Sequence, residues 1–110
     1  MTCQEVPGPF DMVEPFISYA QNFEDVILNR ALKHVDRGAY IDIGANDPVI
    51  HSVSLAFYQR GWRGVHVEPM PSYADALRTA RPDETTIQAA VSSSAEPITF
   101  FGFENFSGEE

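Results

Sequence analysis

The stretch Tyr40-Ile41-Asp42-Ile43-Gly44-Ala45-Asn46-Asp47, followed some twenty residues later by Val65-His66-Val67-Glu68-Pro69, decides how this chain is read. Each run opens as a short β-branched or aromatic segment and stops at a breaker, Gly44 in the first and Pro69 in the second. Two such strands joined through a helical segment form a βαβ unit, in which they run parallel and their carboxyl ends share one edge. Open parallel sheets bind ligands in the crevice outside that edge. Asp42, Asn46, Asp47 and Glu68 all fall there. The expectation is an α/β fold with its site at the strand ends.

Working outward, residues 39–43 form the first strand and 64–67 the second. Between them, residues 52–60 make a helix that starts where the Ser52 hydroxyl can cap free N–H groups. Val53, Ala56 and Phe57 face the sheet. Gly61 suits the left-handed residue after the helix, and Trp62 can pack back on Phe57. Residues 71–80 form a third helix, with Pro71 in its first turn and Pro82 beyond its end. Residues 86–91 form a third strand, and 98–101 a shorter fourth. Upstream, residues 18–35 read as a helix. Ser18 with Gln21 fits a capping box, and Asn22 with Asp25 offers a second start. Glu24 and Asp25 suit the positive end of its dipole; Arg30, Lys33 and His34 suit the other. Phe23, Ile27, Leu28, Ala31, Leu32 and Val35 give it an apolar face that should pack on the sheet near the crevice, and Gly38 ends it. Residues 1–17, with Pro7, Gly8, Pro9 and Pro15, read as a flexible lead-in to a domain over 18–110.

The 110 residues allow one small domain, and 44% hydrophobic content is that of a globular chain. Sixteen acids against seven bases give a net charge of −9. That argues against a nucleic-acid or anionic-membrane surface, which relies on clustered Lys and Arg. Cys3 is the only cysteine, so no intrachain disulfide forms. Residues 1–7 show neither a basic nor an apolar leader pattern, and no apolar run approaches the roughly 18–20 residues of a membrane span. A cytoplasmic protein is the expectation.

The strand ends carry the chemistry. A loop that cradles a pyrophosphate needs several glycines, but here Gly44 stands alone, with Asn46 and Pro48 where more would be expected. A nucleoside cofactor without phosphates, such as S-adenosylmethionine, makes no such demand. Glu68 closes the second strand 24 residues after Gly44, where a carboxylate can accept both ribose hydroxyls. Asp42 either braces the loop or meets the cationic methionine end of the cofactor. Asn46 and Asp47 can reach a carboxylate or an amine, and are equally ordinary turn formers. Val91, after the third strand, suits an adenine resting on backbone and side chain. His34, His51 and His66 show no metal-ligand spacing. No nucleophile-elbow, P-loop or zinc-protease motif is present.

Ser18-Tyr19-Ala20-Gln21-Asn22-Phe23-Glu24-Asp25, the run from Tyr40 to Pro48, and Phe57-Tyr58-x-x-Gly61-Trp62-x-Gly64-Val65-x-Val67-Glu68-Pro69 together closely resemble the FkbM family of S-adenosylmethionine-dependent methyltransferases. The resemblance covers residues 18 to about 101. It implies a Rossmann-like class I methyltransferase sheet of strand order 3-2-1-4-5-7-6, and O-methylation of a small-molecule or sugar acceptor. By position it makes Gly44 and Asn46 the cofactor loop, gives the ribose to Glu68, and lays residues 21–25 over the cofactor, with Gln21 the contact.

The sequence departs from that pattern after its third strand. The acidic Lys-x-Asp-x-Glu-Gly-like segment that ends the family's fourth strand has no counterpart, so the expectation is a sheet truncated to its first three parallel strands with flanking helices. The first strand would then keep one edge unpaired, and Ile41 and Ile43 would lose cover. Such a chain is the cofactor-binding half of a methyltransferase, with weak cofactor binding at best and no assignable catalytic residue. A non-catalytic module that self-associates through the exposed sheet edge is the rival reading. A nucleotide-binding oxidoreductase half is a third, and the single glycine counts against it.

Overall fold

The computed structural model describes residues 15–99 and 101. Helix α1 spans Glu24–Ala31, strand β1 Ala39–Ile43, α2 Leu55–Gln59, β2 Arg63–Val67, α3 Pro71–Ala80 and β3 Thr85–Ile87. The strands form one parallel sheet of order β1-β2-β3. Ile41 lies opposite Val65 and Ile43 opposite Val67; Val67 in turn lies opposite Ile87. Side chains alternate across a strand, so Tyr40, Asp42, Gly64, His66 and Thr86 share one face, and Ile41, Ile43, Val65, Val67 and Ile87 the other.

The two faces differ sharply. The first lies under the segment from Pro48 to Tyr58 and the Arg81 side chain, and His66 there is fully buried. On the second, Ile41 is 70% exposed and Ile43 61%. Among the described residues β1 pairs with β2 alone, so its outer edge is open. Both features follow the expectation for a sheet that holds only three parallel strands.

Local chemistry explains the elements. Proline at the first helical position has the φ a helix needs and no N–H to leave unpaired, and α3 starts that way, from an extended Met70. Ala74 and Leu77 are its buried residues, and the Arg81 N–H closes its last turn on the Leu77 carbonyl. Helix α2 ends in a two-bond glycine cap: Trp62 N–H donates to Phe57 O and Gly61 N–H to Tyr58 O, with Gly61 at φ +96°. That cap lays Trp62 edge-on against Phe57, ring centres 5.0 Å apart. Both rings are buried, and Phe16 also packs edge-on to Phe57, ring centres 6.3 Å apart.

Buried polar residues (Asp25, Ser52, Ser54, His66, Glu68, Arg81) match in number the buried apolar ones among the described residues. A core half polar is held by its hydrogen bonds, because each unpaired group inside costs stability.

Several expectations need correction. The first helix is Glu24–Ala31, not 18–35; Phe23 precedes it in the left-handed region with no side-chain cap, and it ends well before Gly38. Ser18 caps nothing, because its hydroxyl donates to Asp25 instead. The apolar face of α1 is not packed down: Phe23 and Ile27 are more than half exposed, while Leu28 and Leu32 border an apolar cavity of about 210 Å³ beside β1. Helix α2 starts at Leu55 rather than 52, although the Ser52 hydroxyl does accept a free N–H of its first turn, that of Leu55. Strand β3 stops at Ile87 rather than 91, and Ile98, Thr99 and Phe101 lie in no strand, with position 100 outside the described residues. Most of the expected lead-in, residues 1–14, also lies outside them, as do 102–110.

Candidate functional site

A cleft of about 260 Å³ opens at the carboxyl end of β1, lined by Gln21, Asp42, Gly44, Asn46, Asp47 and His51 among others. Five of the seven residues expected from the sequence therefore meet in one place. The volume falls just short of the roughly 300–1,000 Å³ of small-molecule sites.

Each wall has a local cause. Gly44 has φ +73°, its N–H donates to Val67 O at 2.7 Å, and a Cβ built on it would meet nothing within 4 Å. Backbone is thus presented to open space, as a ligand that approaches the main chain requires. Asn46 follows at φ 58°, a left-handed conformation that asparagine tolerates. Asp47 turns inward on its own loop: Oδ1 accepts the N–H groups of Val49 and Ile50, both at 2.8 Å. The bond geometry makes it a brace, the ordinary turn role of aspartate.

Gln21 reaches the cleft because Asp25 bends the chain. The Asp25 carboxylate is fully buried; Oδ1 accepts the Ser18 hydroxyl at 2.6 Å and the Val26 N–H at 2.9 Å. Oδ2 accepts the N–H groups of Tyr19 at 2.8 Å and Ala20 at 3.2 Å. A β-bridge then joins Ala20 to His51, the residue at φ 62° on the opposite lip. The segment read as a helix start is in fact a clasp, and its signal was the acid seven residues after Ser18.

Asp42 lines the cleft with its side chain 18% exposed. His66 Nδ1 stands 3.8 Å from Asp42 Oδ2, beyond hydrogen-bond reach, and is itself buried without a partner. The Asp42 carboxylate is therefore left to the cleft.

Glu68 and Val91 do not line it. Glu68 is 1% exposed, just behind the loop: Oε1 accepts the Asn46 N–H and Oε2 the Met70 N–H, each at 2.8 Å. Each oxygen keeps a second lone pair. Val91 lies beyond the end of β3 and is 66% exposed.

Sequence reasoning missed a buried cluster behind the cleft. Glu84 Oε1 accepts His66 Nε2–H at 2.6 Å, and Oε2 accepts Gly64 N–H at 2.8 Å together with the Tyr40 hydroxyl. Burial first, and then the bond to Glu84, pushes the Tyr40 phenol well above its ordinary range. Arg81 completes the cluster, its guanidinium 3.5 Å from Glu84. No spacing rule points to these residues, which come from a strand interior and from the turn after α3. Among the described residues no group of three or more His, Cys, Asp or Glu side chains could hold a metal ion. Nor is any described helix long and apolar enough to cross a membrane.

Comparison with known families returns one match over more than half the chain: residues 42–109 fit the family model described as Methyltransferase FkbM domain. That span starts at the cleft's aspartate and includes both strand-end acids. No curated protein and no solved structure was found to be similar to the chain.

Proposed function

Because the chain belongs to the FkbM methyltransferase family, we propose that it forms the donor-binding part of an S-adenosylmethionine-dependent methyltransferase on a class I sheet, acting on an oxygen of a small molecule or sugar. The supporting observation is the convergence of Gln21, Asp42, Gly44, Asn46 and Asp47 on one cleft at the end of β1. These residues suit the donor. Gly44 offers backbone without a side chain in the way, and Asp42 offers a carboxylate unclaimed by His66 to a cationic group. Asn46 and Gln21 supply neutral amides. Glu68 fixes the loop and keeps lone pairs that this reading gives to the ribose hydroxyls, and Val91 is the residue it sets beside the adenine. Bound S-adenosylmethionine supplies an electrophilic methyl group on a sulfonium. The chain's own part is to hold and orient it, which accounts for much of the acceleration when two substrates must meet.

Calorimetric titration with S-adenosylmethionine, S-adenosylhomocysteine and NAD tests the reading. Saturable binding of the first two alone is expected. Tighter binding of NAD, or no binding by a folded chain, would refute it.

A second reading has its own observation: the open outer edge of β1 beside Ile41 and Ile43, both more than half exposed. A strand in that state can pair with another chain. In this reading the protein is an interaction module, and sedimentation equilibrium would find a dimer whose dissociation unfolds the protomer. A stable folded monomer would rule it out.

A further inference from the structure

We infer that Arg81, which does not touch the cleft, is a positioning residue that holds one of its walls in place. This rests on the donor-site reading for its functional meaning, though not for its structural content. Arg81 is the residue after α3 and is 1% exposed. Its guanidinium reaches back to the connection between β1 and α2 and grips it at both ends. Nη2 donates to the Pro48 carbonyl at 2.8 Å and to the Ser52 hydroxyl at 3.1 Å; Nη1 donates to the Ser54 hydroxyl at 2.9 Å. Between those points lie Ile50, His51 and Val53, which line the cleft, and His51 carries the bridge to Ala20 beside Gln21.

The acceptors on this segment are all neutral, so the charge of Arg81 is balanced elsewhere, by Glu84. Glu84 in turn holds β1 and β2 together through Tyr40, Gly64 and His66. Its 2.6 Å contact with His66 Nε2 requires the proton on that nitrogen, since a carboxylate only accepts. The arrangement ties the wall of the cleft to the sheet through the Arg81–Glu84 ion pair and a 3.4 Å bond from Arg81 Nη1 to the Tyr40 hydroxyl. Arginine is suited to this because its planar fork spans acceptors several ångströms apart, whereas a lysine ammonium offers a point charge. Arg81 Nε is buried with no partner, so the side chain is oriented by the loop acceptors rather than by full satisfaction of its own donors.

Two variants of the full chain test this by amide hydrogen exchange: Arg81→Lys, which keeps the charge beside Glu84, and Arg81→Gln with Glu84→Gln, which leaves no unpaired buried charge. The wall amides are Val49, Ile50 and Ser52, and the reference amides are Gly44 and Glu68, whose bonds join the strands. In both variants the wall amides should exchange about tenfold faster while the reference amides hold their rates, the pattern of a local opening. Affinity for S-adenosylhomocysteine should fall by about tenfold in the same proteins, at temperatures where each is fully folded. Unchanged wall amides, equal acceleration of wall and sheet, or failure of both variants to fold would overturn the inference. If the unmodified chain binds neither S-adenosylmethionine nor S-adenosylhomocysteine, the donor reading fails, and the exchange pattern still decides the role of Arg81.

Discussion

Glu68 Oε1 accepts the backbone N–H of Asn46 at 2.8 Å, a buried bond that fastens the end of β2 to the turn after β1 beside the one from Gly44 N–H to Val67 O. The second oxygen holds Met70, which precedes α3. One carboxylate thereby sets the positions of the loop, the second strand and the third helix relative to each other.

Glu68→Ala should leave two backbone N–H groups without their acceptor and lower stability by about 2 kcal/mol or more in urea unfolding. Affinity for S-adenosylmethionine should weaken by about 1–3 kcal/mol. Unchanged affinity in the folded variant would separate Glu68 from the ligand entirely.

Asp25→Ala removes the acceptor of four hydrogen bonds and should cost about 3 kcal/mol. The Tyr19 and Ala20 amides should lose exchange protection before any sheet amide does. Retained protection there would mean that the Ala20–His51 bridge alone holds the segment.

Gly64→Ala places a methyl group against the Tyr40 backbone carbonyl and ring on the neighbouring strand. Since that carbonyl belongs to the β1–β2 pairing, the strain has no flexible outlet, and about 2–3 kcal/mol of stability should be lost. An unfolding midpoint within error of the unsubstituted chain would contradict the close approach.

The raised Tyr40 phenol predicts the alkaline limb of the stability curve. Below the unfolded tyrosine value of about 10 both states keep the proton, and the contribution is whole. Above it the unfolded chain releases the proton first, so stability falls as pH rises. Tyr58, raised by its hydrogen bond to Asp83, acts in the same direction and stays in place in the comparison. Tyr40→Phe should therefore flatten the decline above pH of about 10 in denaturant midpoints. An equally steep decline would show that Tyr40 contributes nothing to it.

The sequence was most legible where covalent geometry decides. β1 and α3 fall where expected, because the Gly44 turn and the Pro71 start act locally, and Gly61 with Trp62 foretold the cap of α2. It was least legible where one side chain outbids a local preference. Ser18 with Gln21 has the spacing of a helix start, but Asp25 offers the segment from Ser18 to Ala20 stronger acceptors, and the helix begins later. Within the site, the cleft residues could be read because strand ends are where parallel sheets gather polar groups. Arg81 and Glu84 could not, since they meet His66 and Tyr40 only after the sheet has formed.

Asn46 and His51 hold positive φ in the lining of the cleft, and Phe23 does so two residues after Gln21, a conformation that residues with a Cβ resist. Glycine would relax there, at some cost in unfolded-chain entropy. A screen for thermal robustness would therefore select glycine at Phe23 or His51, each worth up to about 1 kcal/mol. The same exchange would loosen the rim that presents Gln21. Hardiness and ligand affinity thus pull against each other at these positions, and improving the protein in one respect would erode the other.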